Sequence, residues 1–207
     1  MRPPFDAVAF GGPAGMASLW PGTANCLHMN VVLMTVMLLA SFQSQGAEPV
    51  RTVAAVDLDR YLGDWFEIAR LPNRFQRTCA SDVRASYARR ADGSIEVVNR
   101  CRNAAGGSIE ARGVARIADA LTFAKLKVRF APAALSFLPF VWGDYWILGL
   151  ADDYSWAVVG APGRNYLWIL GRTPMLPAEH LATAIEVARA NGFDVALLAK
   201  TTHTSAP

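Results

Sequence analysis

The sequence predicts an all-β domain, an antiparallel barrel or sandwich with one helix near its C-terminus. Three observations carry this reading. Short runs with strand periodicity follow one another from about 63 to 171, each closed by a polar turn. Helical periodicity appears only after them, over 177–190. The first strand opens on Gly63-Asp64-Trp65, an order that lets a large aromatic fold inward behind a permissive glycine and plug one end of a barrel. With 207 residues, 53% of them hydrophobic, the chain is long enough to bury one sizeable core.

The N-terminal segment, 1–46, reads as an extension followed by a secretory signal. Val31 to Ala40 is a ten-residue apolar run, too short to cross a bilayer and suited to the core of a signal. Ser44-Gln45-Gly46 supplies a small-x-small cleavage site, and the start nearest the run is Met29. The mature part, 47–207, is expected to be one domain in an exported, oxidising compartment.

Its elements follow in order. Asp57-Leu58-Asp59-Arg60 is a polar turn before the Gly63–Trp65 strand. Cys79 and Cys101 flank a hairpin whose turn is marked by Asp92-Gly93. Val83, Ala85 and Tyr87 on one arm match Ile95, Val97 and Asn99 on the other, so a disulfide can close the hairpin. The rival reading is two free thiols, one of them reactive. Ile109, Ala111, Gly113, Ala115 and Ile117 lie on one side of a strand and Glu110, Arg112 and Arg116 on the other, and Leu126, Val128 and Phe130 alternate with Lys125, Lys127 and Arg129. Three more apolar runs, 145–150, 156–159 and 166–170, are separated by turns at 151–153 and 161–165. In the helix, Leu181, Ala184, Ile185 and Ala188 form one stripe, and Asn191-Gly192 ends it. Residues 195–199 read as a last strand.

Several function classes are excluded. The net charge is +3 and the basic residues are scattered, so nucleic acid is not the partner. The stripe Lys125, Lys127, Arg129 reads as the solvated face of a strand, with weak attraction to anionic lipid as its functional alternative. His28, His180 and His203 lie far apart, and the chain has no metal-ligand spacing, phosphate loop or nucleophile elbow. Asp152-Asp153 sits in a turn, where a solvated pair is the simpler reading than a catalytic one. The chain is expected to be a binding protein and not an enzyme, with no metal and no cofactor.

Gly63-Asp64-Trp65, Asp152-Asp153-Tyr154 and Arg172, in that order and spacing, resemble the lipocalin family. The wording of 57–70 and 166–174 looks most like its bacterial outer-membrane and apolipoprotein D-like members, and the resemblance spans about 55–202. It implies an eight-stranded up-and-down barrel open at one end, with Trp65 plugging the narrow end and Arg172 lying across its indole. Gly63, Trp65, Asp153, Tyr154 and Arg172 would then hold the fold and not touch ligand. It further implies a small hydrophobic or amphiphilic ligand, such as a fatty acid or lysophospholipid, held in the bacterial envelope. Trp168 and Tyr87 would wall that site, with Asn99 as a polar contact and the small residues Ala85, Ala111, Gly113 and Ala115 leaving room. The apolar loop 137–142, carrying Phe140 and Trp142, would lie at the rim as a lid, a homodimer contact or a patch touching the outer membrane. Some lipocalins use a cysteine inside the barrel as a catalyst, and Cys79 or Cys101 would be that residue here. Where an anchored bacterial relative carries a lipid-bearing cysteine after its apolar run, this chain has Ser41, so a soluble periplasmic form is expected.

Overall fold

A computed structural model describes residues 48–204; the expected signal, its cleavage site, Cys26 and Ser41 lie outside them. A short helix α1 (Leu58–Tyr61) leads into β1 (Gly63–Arg70), β2 (Ser81–Arg89), β3 (Ile95–Arg102) and β4 (Ser108–Ile117). Next come β5 (Lys125–Arg129), β6 (Gly143–Leu150), β7 (Trp156–Gly160) and β8 (Leu167–Gly171). Helix α2 (Ala178–Ala190) and a two-residue strand β9 (Ala199–Lys200) complete the chain. Each strand from β1 to β8 pairs antiparallel with its sequence neighbour, and β8 pairs with β1. The sheet therefore closes into an eight-stranded up-and-down barrel.

Closure is shared along β1. Its first half pairs with β2 from Gly63↔Tyr87 to Phe66↔Arg84, while Ala69 and Arg70 pair with β9. The C-terminal tail thus fills the gap where β2 bends away. The expected strand over 195–199 is shorter and later than its apolar run suggests. Val195–Leu197 forms a 3-10 turn instead, because the Asp194 carboxylate accepts the Ala196 N–H and caps it.

Strand alternation creates two cores. Trp65, Tyr87, Val97, Ala115, Leu126, Ile147, Val159 and Leu170 point into the barrel. Outside it, Leu148, Trp156, Val158, Leu167 and Ile169 pack under α2, against Ala184 and Ala188. Small residues set how close the helix comes: a Cβ on Gly149 would meet Val187 at 2.9 Å, and one on Gly160 would meet Phe193 at 2.7 Å.

The basic stripe of β5 is not simply solvated. Lys125 lies 4.5 Å from the Trp146 ring centre, and Lys127 pairs with Asp144 at 2.7 Å. Arg129 is buried at 7% exposure, 5.2 Å from the Trp142 ring centre, and donates to the Ala131 carbonyl. Neighbouring aromatics and a carboxylate hold all three cations against the wall.

Candidate functional site

The closed end is built from the three sequence motifs. Gly63 has φ +93°, a backbone a side chain would strain, and it turns the chain so that Trp65 enters the barrel with no exposed surface. The Arg172 guanidinium lies 3.8 Å from the centre of the Trp65 ring. It also donates to the carbonyls of Arg60 (2.6 Å), Asp64 (2.8 Å), Tyr61 (3.2 Å) and Tyr154 (3.4 Å). The Asp153 carboxylate accepts the Ser155 N–H, and the hydrogen bonds from Ser155 hold its pKa below the usual carboxylate value. Tyr154, at φ +63°, receives the Asp57 N–H on its hydroxyl at 2.8 Å, and Arg60 stacks on its ring at 4.0 Å. These contacts tie α1, β1, the β6–β7 turn and the end of β8 together.

Above Trp65 lies a feature the sequence reading missed. Tyr61 from α1, Tyr87 from β2 and Tyr145 from β6 meet inside the barrel. The Tyr145 hydroxyl is 2.8 Å from that of Tyr61 and 3.0 Å from that of Tyr87. Because β2 and β6 stand on opposite sides, the three phenols form a bar across the interior. Burial pushes the Tyr87 pKa up to about 12 and those of Tyr61 and Tyr145 well above the ordinary phenol value, so all three are neutral.

Beyond this bar the inward positions carry small or partly exposed side chains. Ala85, Asn99 and Ala111 occupy one inward-facing row, with register Ala85↔Asn99 and Asn99↔Ala111. Ala85 and Asn99 are only half-buried and Ala111 is exposed, so the interior is open to solvent at this level. Trp168 faces them from β8 and donates its indole N–H to Gln76 at 2.8 Å. Gln76 in turn reaches Glu67 at 2.5 Å, and Glu67, only 2% exposed, pairs with Arg70 at 2.6 Å. The mouth therefore has one polar side, held by a loop between β1 and β2.

The residues singled out in the sequence separate into two groups. Tyr87, Asn99 and Trp168 come together inside the barrel. Phe140 and Trp142 do not join them. Phe140 is 80% exposed on a 3-10 turn (Pro139–Val141) at the open end, beside Phe137 at 76%. Trp142 turns to the outer wall, where Arg116 and Arg129 cover its ring at 4.5 and 5.2 Å. The supposed room at Gly113 is also taken, since a Cβ there would meet the Phe130 ring at 2.8 Å and the Arg129 carbonyl at 2.7 Å.

Cys79 and Cys101 form a disulfide with Cα atoms 5.6 Å apart, which ties the loop before β2 to the end of β3. Bonded to each other, neither sulfur offers the thiolate that a cysteine catalyst requires. A groove of about 280 Å³ runs along the outer wall past Arg84, Arg100, Arg102 and His203. Its arginines are already paired with Asp64, Glu110 and Asp82, so it lacks the free charge an anion site needs.

Residues 56–203 match the family model of the lipocalin-like domain. Temperature-induced lipocalin-1 of Arabidopsis thaliana is 41% identical over 161 residues, 76% of this chain and 85% of the relative. Outer membrane lipoprotein Blc of Escherichia coli K12 is 41% identical over 151 residues, 71% of this chain and 81% of the relative. Apolipoprotein D of Mus musculus is 31% identical over 159 residues, 73% of this chain and 79% of the relative.

Proposed function

This chain belongs to the lipocalin family, whose members bind small hydrophobic ligands, and on that premise we propose that it carries fatty acids, lysophospholipids or similar amphiphiles in the bacterial envelope. The observation that supports this most is the row Ala85, Asn99, Ala111: inward positions of a closed barrel that keep accessible surface. Ligand would enter past the mouth, bury its chain against Trp168 and the small side chains, and be held chiefly by apolar burial. Asn99, which makes no side-chain hydrogen bond among the described residues, is free to meet a polar group. The relative named an outer membrane lipoprotein supports an envelope location, and membrane maintenance under stress is the role we propose for the carrier there.

The test is native mass spectrometry of protein purified from the periplasm, with extraction and identification of what it holds. Bound amphiphile at unit stoichiometry is expected. An empty barrel, together with failure of fluorescent fatty acids to quench tryptophan, would overturn the carrier reading.

A second reading adds to the first. The segment from Phe130 to Gly143 contains no charged residue and presents Leu135, Phe137 and Phe140 at the open end. We propose that this loop touches the membrane while the mouth exchanges ligand. Vesicle flotation is expected to weaken with Phe137→Ser and Phe140→Ser and to persist with Trp142→Phe, since Trp142 packs on the wall. Flotation untouched by both serine changes would remove this reading and leave the carrier reading standing.

A further inference from the structure

The tyrosine bar has a hydrogen-bonding remainder. Three hydroxyls carry three protons, and the two contacts Tyr61–Tyr145 and Tyr145–Tyr87 use two of them. One O–H is left without a protein acceptor in either direction of the chain, because no other protein group within reach bonds these oxygens among the described residues. The rings of the bar belong to one apolar core with Trp65, which touches Tyr61, Val97, which pairs with Tyr87, and Leu126, which pairs with Tyr145. A buried donor left unmade is expensive, so a ligand or a water next to the bar must accept it. Tyr145, at the middle of the bar, keeps part of its surface accessible while Tyr61 and Tyr87 are buried.

We propose that the bar is the inner anchor of the ligand site, and that it selects a ligand whose deep end carries an uncharged oxygen acceptor, a keto or hydroxyl group. This rests on the carrier reading and narrows it. Among the amphiphiles proposed, those whose inward end carries a keto or hydroxyl group match the bar, and plain fatty acids and lysophospholipids leave it unmatched. A purely hydrocarbon tail would leave the donor unmatched. A carboxylate end fits no better, because the interior around the bar offers it no cation. The nearest guanidinium, Arg172, lies behind the Trp65 ring and is engaged by four carbonyls. The raised phenol pKa values agree with a neutral donor throughout the ordinary pH range. Tyr61 and Tyr145 thereby gain a role in recognition that their distance from the mouth conceals.

The test compares 2-tridecanone with its methylidene isostere 2-methyl-1-tridecene, each displacing bound diphenylhexatriene. The isostere replaces the oxygen by a CH2 group and keeps the shape. The wild-type protein should favour the ketone by roughly tenfold, the worth of one hydrogen bond to a desolvated donor. The triple variant Tyr61→Phe, Tyr87→Phe, Tyr145→Phe keeps all three rings and should bind both compounds alike. Should that variant fold poorly, the wild-type protein still decides the matter. The infrared band of ketone labelled with carbon-13 at its carbonyl should shift to lower frequency on binding, as a hydrogen-bonded carbonyl does. Equal affinities with an unshifted band would mean that water satisfies the bar, which overturns this inference while the carrier reading stands. No binding of either compound, with fatty-acid probes also failing, overturns both.

Discussion

Arg172 shows why one residue type can be required by two unlike contacts at once. Its planar fork stacks on Trp65 and donates to four backbone carbonyls, which the ammonium of a lysine cannot do together. Arg172→Lys should therefore lower stability by about 2–3 kcal/mol, with ligand affinity unchanged, since its guanidinium lies behind the Trp65 ring among four backbone carbonyls. Guanidinium denaturation read by tryptophan fluorescence measures it, and a loss below about 0.5 kcal/mol would show that the stack is ornamental. The tyrosine bar gives a pH signature. With the folded Tyr87 pKa raised to about 12 and the unfolded one near 10, the unfolded chain releases protons first as pH rises. Stability should be flat up to about pH 10 and fall above it, and Tyr87→Phe should make that fall shallower without removing it, since Tyr61 and Tyr145 are raised as well. Gly63, Trp65 and Arg172 were legible in the sequence because their chemistry is local and their order distinctive. Tyr61 and Tyr145 were not, since they meet through barrel closure across 84 positions and no period along the chain records it. The vacancy at Gly113 was misjudged for a related reason: Phe130, just past the end of β5, fills it.

Among the elements, the C-terminal tail and the β2–β3 hairpin fasten each other. The disulfide holds one end of the hairpin, and its removal by Cys79→Ala with Cys101→Ala should cost roughly 2–4 kcal/mol, visible as a lower denaturation midpoint. At the same corner the Asp82 carboxylate accepts the Thr204 N–H and hydroxyl, both at 2.7 Å. Those bonds, with Thr204 N–H the foremost and Ser81 and Arg102 assisting, hold the Asp82 pKa below the usual carboxylate value. A depressed folded pKa contributes stability above the unfolded value of about 4 and loses it as pH falls through the folded one. Below about pH 4 the tail should loosen, seen as faster amide exchange at 199–204 after correction for intrinsic rates, and Asp82→Asn should loosen it at neutral pH too. Strand alternation and turn residues had made the eight barrel strands and α2 readable. The tail was misread as a longer strand because an apolar run alone cannot report that Asp194 caps a turn inside it. Trp142 was misplaced for want of parity: once Tyr145 and Gly143 face inward, its ring packs on the outer wall against two arginines.

Taken whole, the barrel is closed at one end by packing and left open at the other, an arrangement that sets what ligand can do to its stability. A ligand that binds only the folded state stabilises it by about 2.7 kcal/mol at a hundred times its dissociation constant. For a domain of this size that corresponds to a rise of roughly 5–10 °C in melting temperature. The rise should be near full for an amphiphile that reaches the tyrosine bar and smaller for a chain too short to leave the mouth, because burial grows with depth. A homologous series of 2-alkanones, followed by scanning calorimetry at fixed free concentration, should show the melting temperature climbing with chain length. It should then level off once the chain outgrows the hollow and projects past Trp168 and Gln76 into water. A flat response would mean that the hollow above the bar takes up no guest. A climb that continued without limit would locate the binding on the outside, at the apolar loop around Phe137 and Phe140, where nothing caps the length of a bound chain.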